Sequence, residues 1–277
     1  MLDKSLLYNK LHILMDINTD EIVFESGTCV SGCSAYTRDF FDDGYYVTDA
    51  DIGVYGDNIF FGATSTGPTF NSYSSNLWIS DGTPFGTYKI SDFSGPRDFI
   101  TVDNGVFFLA KDGPDGYEIM FSDGTREGTS RVTSDGHNCT SPIYDIYGGS
   151  GNTIFLSREI YTNGCSGGYN GERMYRVTAL NNGEFEIVDL DEDNLYKVQY
   201  QNHIISDGKL FFGSVNYDED TLELYVANSQ NITLIVEYSD NNYQSFGTFG
   251  SIGDTVYYGY GDMSNETLWK SDGTEDG

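Results

Sequence analysis

The sequence predicts an all-β fold built from about six copies of one four-stranded unit. Three observations support this prediction: a turn motif that recurs in a fixed context, a short apolar run that recurs at a steady interval, and the lack of any helical periodicity. With 277 residues, the chain is long enough to bury a sizeable core, drawn from Tyr and Phe more than from Leu. The repeats extend over the whole length, so we expect a single domain at 1–277.

The turn motif is Ser-Asp-Gly-Thr, and each of its three copies follows a short apolar run. Two copies continue alike, with Gly86-Thr87 and Gly128-Thr129 at the same offset. An Asp-Gly pair between two such runs predicts a hairpin, because both central positions of a type I′ turn need a positive φ. We expect structural turns in which the threonines hydrogen-bond back across the hairpin. The turn residues are Asp81, Gly82, Thr83, Asp123, Gly124, Thr125, Asp272, Gly273 and Thr274.

The apolar runs are rich in aromatic and β-branched residues. Successive runs begin at intervals of 48, 47, 48, 56 and 46 residues, so that units start near positions 10, 58, 105, 152, 209 and 255. Short runs of this kind, bounded by Gly, Asn and Asp, are typical of β-strands. Around the second unit we expect four strands, at 59–63, 77–80, 87–90 and 99–102. The runs begin at Leu11, Ile59, Val106, Ile154, Leu210 and Val256.

Four antiparallel strands in a period of about 47 residues match one blade of a β-propeller. We therefore predict a β-propeller of about six blades. In this strand assignment, the sequence as given ends at Gly277 directly after the second strand of the last unit, so we expect that blade to be incomplete. The residues before Leu11 could supply one outer strand to it, but not two.

The repeat resembles the bacterial ELWxxDGT repeat, whose pattern is Glu-Leu-Trp, two residues, Asp-Gly-Thr, two residues and Gly-Thr. The copy from Tyr117 to Thr129 matches this pattern best, with Met120 in place of the Trp. The resemblance implies a large repeat protein that is extracellular or located at the cell surface and is propeller-like. It implies no established catalytic residues.

The composition is strongly acidic, with 43 Asp and Glu against 14 Lys and Arg and a formal net charge of −29. This charge argues against a nucleic-acid partner, since phosphate binding needs a basic footprint, and against an anionic membrane surface. No stretch has the length of a membrane-spanning segment, which argues against membrane insertion. Such a charge also strains the compact state by self-repulsion, unless salt or bound Ca²⁺ screens it.

Three acidic segments have the one-three-five oxygen spacing that opens a calcium loop. None continues with the Gly and Glu of an EF-hand, so a solvated acidic turn is the alternative interpretation of each. Apart from Ca²⁺, we expect no cofactor. The candidate Ca²⁺ ligands are Asp16, Asn18, Asp20, Asp189, Asp191, Asp193, Asn216, Asp218 and Asp220.

Four cysteines permit two disulfides with three connectivities. The repeat phase favours a Cys139–Cys165 bridge, because both residues fall in loops that emerge on the same face of a propeller, and Cys29–Cys33 would then close a small loop. Free thiols in a cytosolic protein are the alternative. Three N-glycosylation sequons lie in expected loops. They begin at Asn138, Asn231 and Asn265.

We predict that the protein is not an enzyme. Its three histidines, His12, His137 and His203, lie far apart, and among 43 acidic residues no catalytic pair can be singled out. We expect Trp78 and Trp269 to pack between blades and not to serve as exposed sugar platforms.

The leading hypothesis for function is a non-catalytic structural or adhesive propeller outside the cell. It would assemble with copies of itself, as in a filament, or with other surface proteins by strand addition. A carbohydrate- or ligand-binding propeller is the alternative, and a glycosidase or lyase is a third hypothesis.

Overall fold

The structure is a computed structural model. It describes residues 52–63, 75–83, 85–113, 116–134, 144–161, 169–190, 198–216, 219–239, 245–262 and 265–274. The regular elements in these ranges are β-strands, and all of their pairings are antiparallel. In the same ranges, we find no helix with the length and apolar character that crossing a bilayer requires. The predicted all-β fold is therefore confirmed. The chain divides into two compact units, Met1–Pro142 and Ile143–Gly277.

In the first unit, seven strands are hydrogen-bonded to one another in sequence order. The long strand β4 belongs to two groups, because its first part pairs with β3 and its second part pairs with β5. Gly95 and Asp98, with φ of 64° and 54°, lie where the register of β4 against β5 shifts. The strands are β1 (Ile52–Tyr55), β2 (Asn58–Ala63), β3 (Asn76–Ser80), β4 (Tyr88–Val102), β5 (Gly105–Lys111), β6 (Tyr117–Ser122) and β7 (Ser130–Arg131).

The described part of the second unit contains three separate antiparallel sheets, two with four strands and one with three. In each sheet, neighbouring strands are also consecutive in sequence, so each sheet is a meander of the kind that forms a propeller blade. The strands are β8 (Tyr144–Ser150), β9 (Thr153–Tyr161), β10 (Tyr169–Ala179), β11 (Phe185–Asp189), β12 (Val198–Ser206), β13 (Lys209–Asn216), β14 (Thr221–Ala227), β15 (Ile232–Ser239), β16 (Ser245–Ile252), β17 (Thr255–Gly261) and β18 (Thr267–Ser271).

The blades begin one strand earlier than the sequence indicated. The segment 99–102, expected to be the fourth strand of the second unit, pairs with β5 and so opens the next blade, with Ile100 opposite Phe107. The reason is local, because a two-residue turn joins Val102 to Gly105 and brings the two strands together. Each described apolar run is therefore the second strand of its blade. The last described sheet consequently has three strands, β16–β18, where only two were expected.

The core lies between successive blades, and the apolar runs supply most of it. Within the first unit, Phe60 and Leu77 of one blade pack with Val106 and Phe108 of the next. In the second unit, successive blades pack in the same way. Here one cluster joins Phe155 and Met174 to Leu210 and Phe212, and another joins Leu224 to Phe246 and Tyr258. One face of each of these blades is thus covered by the blade that follows it.

Candidate functional site

The Ser-Asp-Gly-Thr motif forms a turn between the third and fourth strands of a blade. In the first copy, Asp81 Oδ1 accepts hydrogen bonds from the backbone N–H of Thr83 at 2.8 Å and from its hydroxyl at 2.7 Å. The Thr83 hydroxyl oxygen accepts the N–H of Gly86 at 3.0 Å. Thr87 closes the turn, because its hydroxyl lies 2.7 Å from the Thr83 carbonyl oxygen and 2.6 Å from the Ser80 hydroxyl. The side chains thereby satisfy backbone groups that the sheet leaves unpaired.

The second copy reproduces every one of these bonds. Asp123 accepts from Thr125 at 2.8 and 2.7 Å, and the Thr129 hydroxyl lies 2.6 Å from the Thr125 carbonyl oxygen and 2.7 Å from the Ser122 hydroxyl. The Thr125 hydroxyl oxygen accepts the N–H of Gly128 at 2.9 Å. Two separate blades therefore hold the same turn by the same atoms.

The third copy has the first half of this turn. Asp272 Oδ1 accepts the backbone N–H of Thr274 at 2.9 Å and its hydroxyl at 2.7 Å, and the Ser271 hydroxyl oxygen accepts the N–H of Gly273 at 3.0 Å. These hydrogen bonds, above all the one from the Thr274 hydroxyl, hold the pKa of Asp272 below its usual value.

The geometry of the motif differs from the expected type I′ turn. Gly82, Gly124 and Gly273 have φ of 87°, 92° and 86°, but the aspartates before them do not have a positive φ. The three threonine hydroxyls donate to the aspartate two residues earlier, and those of Thr83 and Thr125 also accept the N–H of the glycine three residues later. Elsewhere in the chain, Asp207 and Gly208 do both have a positive φ, in the two-residue turn between β12 and β13.

Three glutamates in third strands are buried, and the sequence analysis did not single them out. Glu118, Glu172 and Glu223 are 2%, 7% and 7% exposed. Glu118 accepts a hydrogen bond from Arg131 Nη2 at 3.0 Å and another from the Thr133 hydroxyl at 2.6 Å. This carboxylate therefore ties β6 to Arg131 of β7 and to Thr133, two residues past the end of that strand.

Glu172 lies at the centre of a hydroxyl cluster. It accepts hydrogen bonds from the Tyr147 hydroxyl at 2.6 Å and from the Ser157 hydroxyl. Burial and the neighbouring carboxylate raise the pKa of Tyr147 well above its usual value. The ring of His203 packs edge-on against Tyr147 with 5.0 Å between centroids, and burial lowers the pKa of this histidine. Since both hydroxyl groups donate to Glu172, the cluster joins β8, β9 and β10 to one another.

Glu223 belongs to a small acidic cluster. It accepts hydrogen bonds from the Asn216 side-chain amide at 3.1 Å and the Tyr225 hydroxyl at 2.8 Å. One carboxylate oxygen from each of Glu219, Glu223 and Glu237 lies within 4.8 Å of the others. Carboxylate oxygens are the ligands that Ca²⁺ prefers. The cluster includes none of the residues predicted as Ca²⁺ ligands.

The structure places three of the predicted Ca²⁺ ligands. Asn216 caps a turn, its side-chain oxygen accepting the N–H of Glu219 at 3.3 Å, and Asp220 lies in that turn with a φ of 57°. Asp189 pairs with Arg173 at 3.5 Å. The other six, Asp16, Asn18, Asp20, Asp191, Asp193 and Asp218, lie outside the described residues, as do Cys29, Cys33, Cys139, Cys165 and the sequon residue Asn138. The other two sequon residues, Asn231 and Asn265, are exposed.

The two tryptophans differ in their exposure. Trp78 is half-buried and donates its indole N–H to the Ala63 carbonyl oxygen at 3.1 Å. Trp269 is 47% exposed, packs edge-on against Tyr238 and donates to the Thr267 hydroxyl at 2.8 Å. Trp269 therefore contacts the preceding blade while it remains partly exposed, and the hydrogen bond of Trp78 lies within its own blade.

One position in the third strand distinguishes the last described sheet from the others. It lies opposite the fourth residue of each apolar run, as the pairings Gly62–Leu77 and Gly259–Leu268 illustrate. Leu268 is 78% exposed at this position, whereas its four equivalents in the described part of the chain are fully buried. Those equivalents are Leu77, Ile119, Met174 and Leu224.

The exposed surface around this position is called the Leu268 face below. It comprises Leu268, Ile252, Tyr257 and Lys270, which the strand register places on one side of the sheet. Ile252 is 73% exposed, and Tyr257 is half-buried. The exposure of the Leu268 and Ile252 side chains was not predicted from the sequence. The signal that could have found Leu268 is its alignment with Leu77 in the repeat, but the alignment carries no information about exposure.

No protein-family model matches the sequence, and no curated protein matches it. Solved structures are similar to it in fold. Dipeptidyl peptidase 4 from Porphyromonas gingivalis is 13% identical, with a TM-score of 0.49 over 79% of this chain and 37% of that one. The β-propeller domain of the trilobed protease from Pyrococcus furiosus is 14% identical, with a TM-score of 0.37 over 79% of this chain and 76% of that domain.

TolB from Acinetobacter baumannii is 13% identical, with a TM-score of 0.39 over 79% of this chain and 53% of TolB. The chain thus spans about half the length of that protein. At this level of identity the similarity concerns the fold alone, which is all-β and of propeller type.

Proposed function

We propose that the chain is a non-catalytic, extracellular propeller module that assembles with further copies of itself through the Leu268 face. The observation that carries this proposal is the exposure of Leu268 at a position where all four equivalents among the described residues are fully buried. Fully burying a leucine side chain stabilises by about 1.5–3 kcal/mol. A partner that covers this face would gain that free energy, and exposed apolar patches of this kind are typical of interaction sites.

The shape of the partner follows from the other blades. Leu77 and Leu224 are each covered by the apolar strands of the blade that follows them in the chain. A sheet of the same repeat type is therefore the surface that fits the Leu268 face. A second copy of the chain offers such sheets, and a contact between two different surfaces continues head to tail into a filament if the rotation does not close.

The non-catalytic part of the proposal rests on the buried carboxylates. Glu118, Glu172 and Glu223 each accept hydrogen bonds from side chains of their own blade. A carboxylate held in this way joins strands to one another, and its burial keeps it away from a substrate in solution.

A carbohydrate-binding propeller is the second candidate, and Trp269 favours it. The ring is 47% exposed, and beside it Tyr238 and Tyr260 stack with 3.8 Å between ring centroids. Exposed aromatic rings with hydroxyl groups nearby form surfaces that suit sugar rings. Glycan-array binding that is lost on Trp269→Ala and retained on Phe85→Ala would favour this candidate, because Phe85 is a fully exposed aromatic residue in the first unit.

The self-assembly proposal is tested by the mass of the particle across micromolar concentrations, measured by light scattering after size exclusion. We expect the mass of the unmodified chain to rise with concentration and Leu268→Lys to abolish that rise. Leu234→Lys is the matched control, since Leu234 is an exposed leucine of the same unit. It should assemble like the unmodified chain.

Two outcomes would contradict the proposal. One is an unmodified chain that stays monomeric across the whole concentration range. The other is a Leu268→Lys variant whose melting temperature falls while the mass of both proteins stays that of a monomer. The second outcome would mean that the Leu268 face is covered by a segment of the same chain.

A further inference from the structure

Two tyrosines from neighbouring blades of the second unit stack face to face. Tyr238 lies in β15 and Tyr260 in β17, and these strands belong to different sheets. The ring centroids are 3.8 Å apart, and the ring planes are inclined by 20°. Aromatic pairs usually keep their centroids roughly 4.5–7 Å apart, so these two rings are in close contact over their faces.

The neighbouring side chains hold the two rings in this arrangement. The Tyr238 hydroxyl lies 3.1 Å from the Tyr258 hydroxyl, and the Tyr238 ring packs edge-on against Phe246 and Trp269. Phe246 also contacts Tyr260, with 6.1 Å between ring centroids. Because contacts on several sides fix both rings, their carbon atoms lie close together before any reaction begins.

Both stacked rings can be reached from solvent, because Tyr238 and Tyr260 are half-buried. Burial and the nearby Tyr258 hydroxyl raise the pKa of Tyr238 well above its usual value. At neutral pH this phenol therefore keeps its proton, and its oxidation removes one electron and the hydroxyl proton. A one-electron oxidant in solution is the kind of reagent that activates such a pair.

We infer that Tyr238 and Tyr260 are a site of covalent modification, at which hydrogen peroxide and a peroxidase couple the two rings into dityrosine. Each phenol loses one electron and its hydroxyl proton. The two phenoxyl radicals then form a carbon–carbon bond between ring positions next to the oxygens. The hydrogens on those two carbons move as protons to the oxygens, which restores both phenols. The pair thus loses two hydrogen atoms, and their electrons and protons reduce one hydrogen peroxide to two water molecules.

The new bond ties two blades together, because β15 is the last strand of one sheet and β17 is the second strand of the next. A covalent cross-link restricts the unfolded chain, as a disulfide does. The cross-linked chain should therefore melt at a higher temperature than the untreated chain. The inference goes beyond the proposed function and does not depend on self-assembly, since both tyrosines belong to one chain.

The test treats the full chain, at low concentration, with a haem peroxidase and hydrogen peroxide. A protease that cleaves at aspartate separates the two tyrosines, since Asp240 and Asp254 lie between them in sequence. We expect dityrosine fluorescence and one linked pair of peptides, containing Tyr238 and Tyr260, that has lost two hydrogen atoms. When isotope-labelled and unlabelled chains are mixed before oxidation, the linked peptides should carry the label in both members or in neither.

Two variants identify the partner of Tyr238. Tyr260→Phe keeps an aromatic ring in the stack but cannot form a phenoxyl radical, so it should abolish the linked pair. Tyr258→Phe is the matched control, because it removes the hydroxyl beside Tyr238 and leaves the stacked pair in place. It should still form the link. Melting curves recorded before oxidation show that both variants are folded.

Three results would overturn the inference. One is a folded chain in which Tyr88, which is 44% exposed, is oxidised while Tyr238 and Tyr260 stay unlinked. Another is a Tyr260→Phe variant that forms a linked peptide at Tyr238 as readily as the unmodified chain. The third is linked peptides in which labelled and unlabelled members are paired, because such a bond joins two chains and not two blades.

Discussion

A Cβ atom on Gly86 would lie 2.0 Å from Oδ1 of Asp81, so the carboxylate occupies the space that any larger residue would need. The same relationship recurs between Gly128 and Asp123, at 2.2 Å. Neither glycine has a positive φ. The second glycine of the repeat is therefore required by close approach to the aspartate and not by backbone conformation.

We expect Gly128→Ala to lower the free energy of unfolding by about 1–3 kcal/mol, because the methyl group forces the Asp123 carboxylate out of its turn. Denaturant unfolding measures this change. Gly250→Ala is the control, since a Cβ atom there would meet nothing within 4 Å. If both substitutions destabilise equally, the close approach to Asp123 is not the reason for the glycine.

Glu118→Ala removes a buried carboxylate and leaves Arg131 and Thr133 without their acceptor. Breaking a buried ion pair in this way costs about 3–5 kcal/mol. Glu118→Gln keeps one acceptor oxygen and should cost clearly less. Denaturant unfolding of the two variants, with the exposed Glu127→Gln as the control, checks this order. Equal losses for the alanine and glutamine variants would show that the hydrogen bond to the Thr133 hydroxyl contributes nothing.

His203 should make the protein less stable in mild acid. Burial lowers its pKa in the folded state below the ordinary value of 6.5, although a backbone hydrogen bond with Tyr147 opposes this effect. The unfolded chain therefore binds the proton first as the pH falls through 6.5, and folding loses free energy from that pH downward. Melting temperatures between pH 7.5 and 5 should fall less steeply for His203→Gln than for the unmodified chain. Parallel curves would contradict the assignment to His203.

Calcium-dependent stability remains a prediction of the charge pattern. If Ca²⁺ binds the folded chain, a hundredfold excess over its Kd stabilises the fold by about 2.7 kcal/mol. Melting curves in EDTA and in millimolar Ca²⁺, at matched ionic strength, measure the effect. If the site is the cluster of Glu219, Glu223 and Glu237, Glu237→Gln should reduce the calcium response and Glu127→Gln should not. Identical curves with and without Ca²⁺ would disprove the prediction.

The strands and turns were predictable where the signal is local. The apolar runs that begin at Ile59 and Val106 form β2 and β5, and the segments 77–80 and 87–90 fall within β3 and β4. The start of each blade was not predictable, because first strands such as β16 carry no clear alternation of apolar and polar residues. Each first strand belongs to its blade because a two-residue turn pairs it with the apolar run that follows, as in the pairing of β16 with β17.

The candidate sites were harder to predict, because their members come together through strand register. Glu118 and its partner Arg131 lie 13 residues apart in sequence and meet only across β6 and β7. Glu223 and Glu237 face each other because β14 pairs with β15 in one particular register. The oxygen spacing along a single segment, which suggested Ca²⁺ ligands around Asn216, carries no information about such cross-strand neighbours.

By itself, the sequence determined the all-β class, the length of the repeat and the positions of the Asp-Gly-Thr turns. These features depend on backbone conformation and hydrogen bonds within a few residues, and a short segment carries that information. Only the tertiary structure decided which carboxylates are buried and which copy of a repeated leucine is exposed. Leu77 and Leu268 occupy the same position of the same motif, and they differ because the next blade covers Leu77, while Leu268 remains 78% exposed.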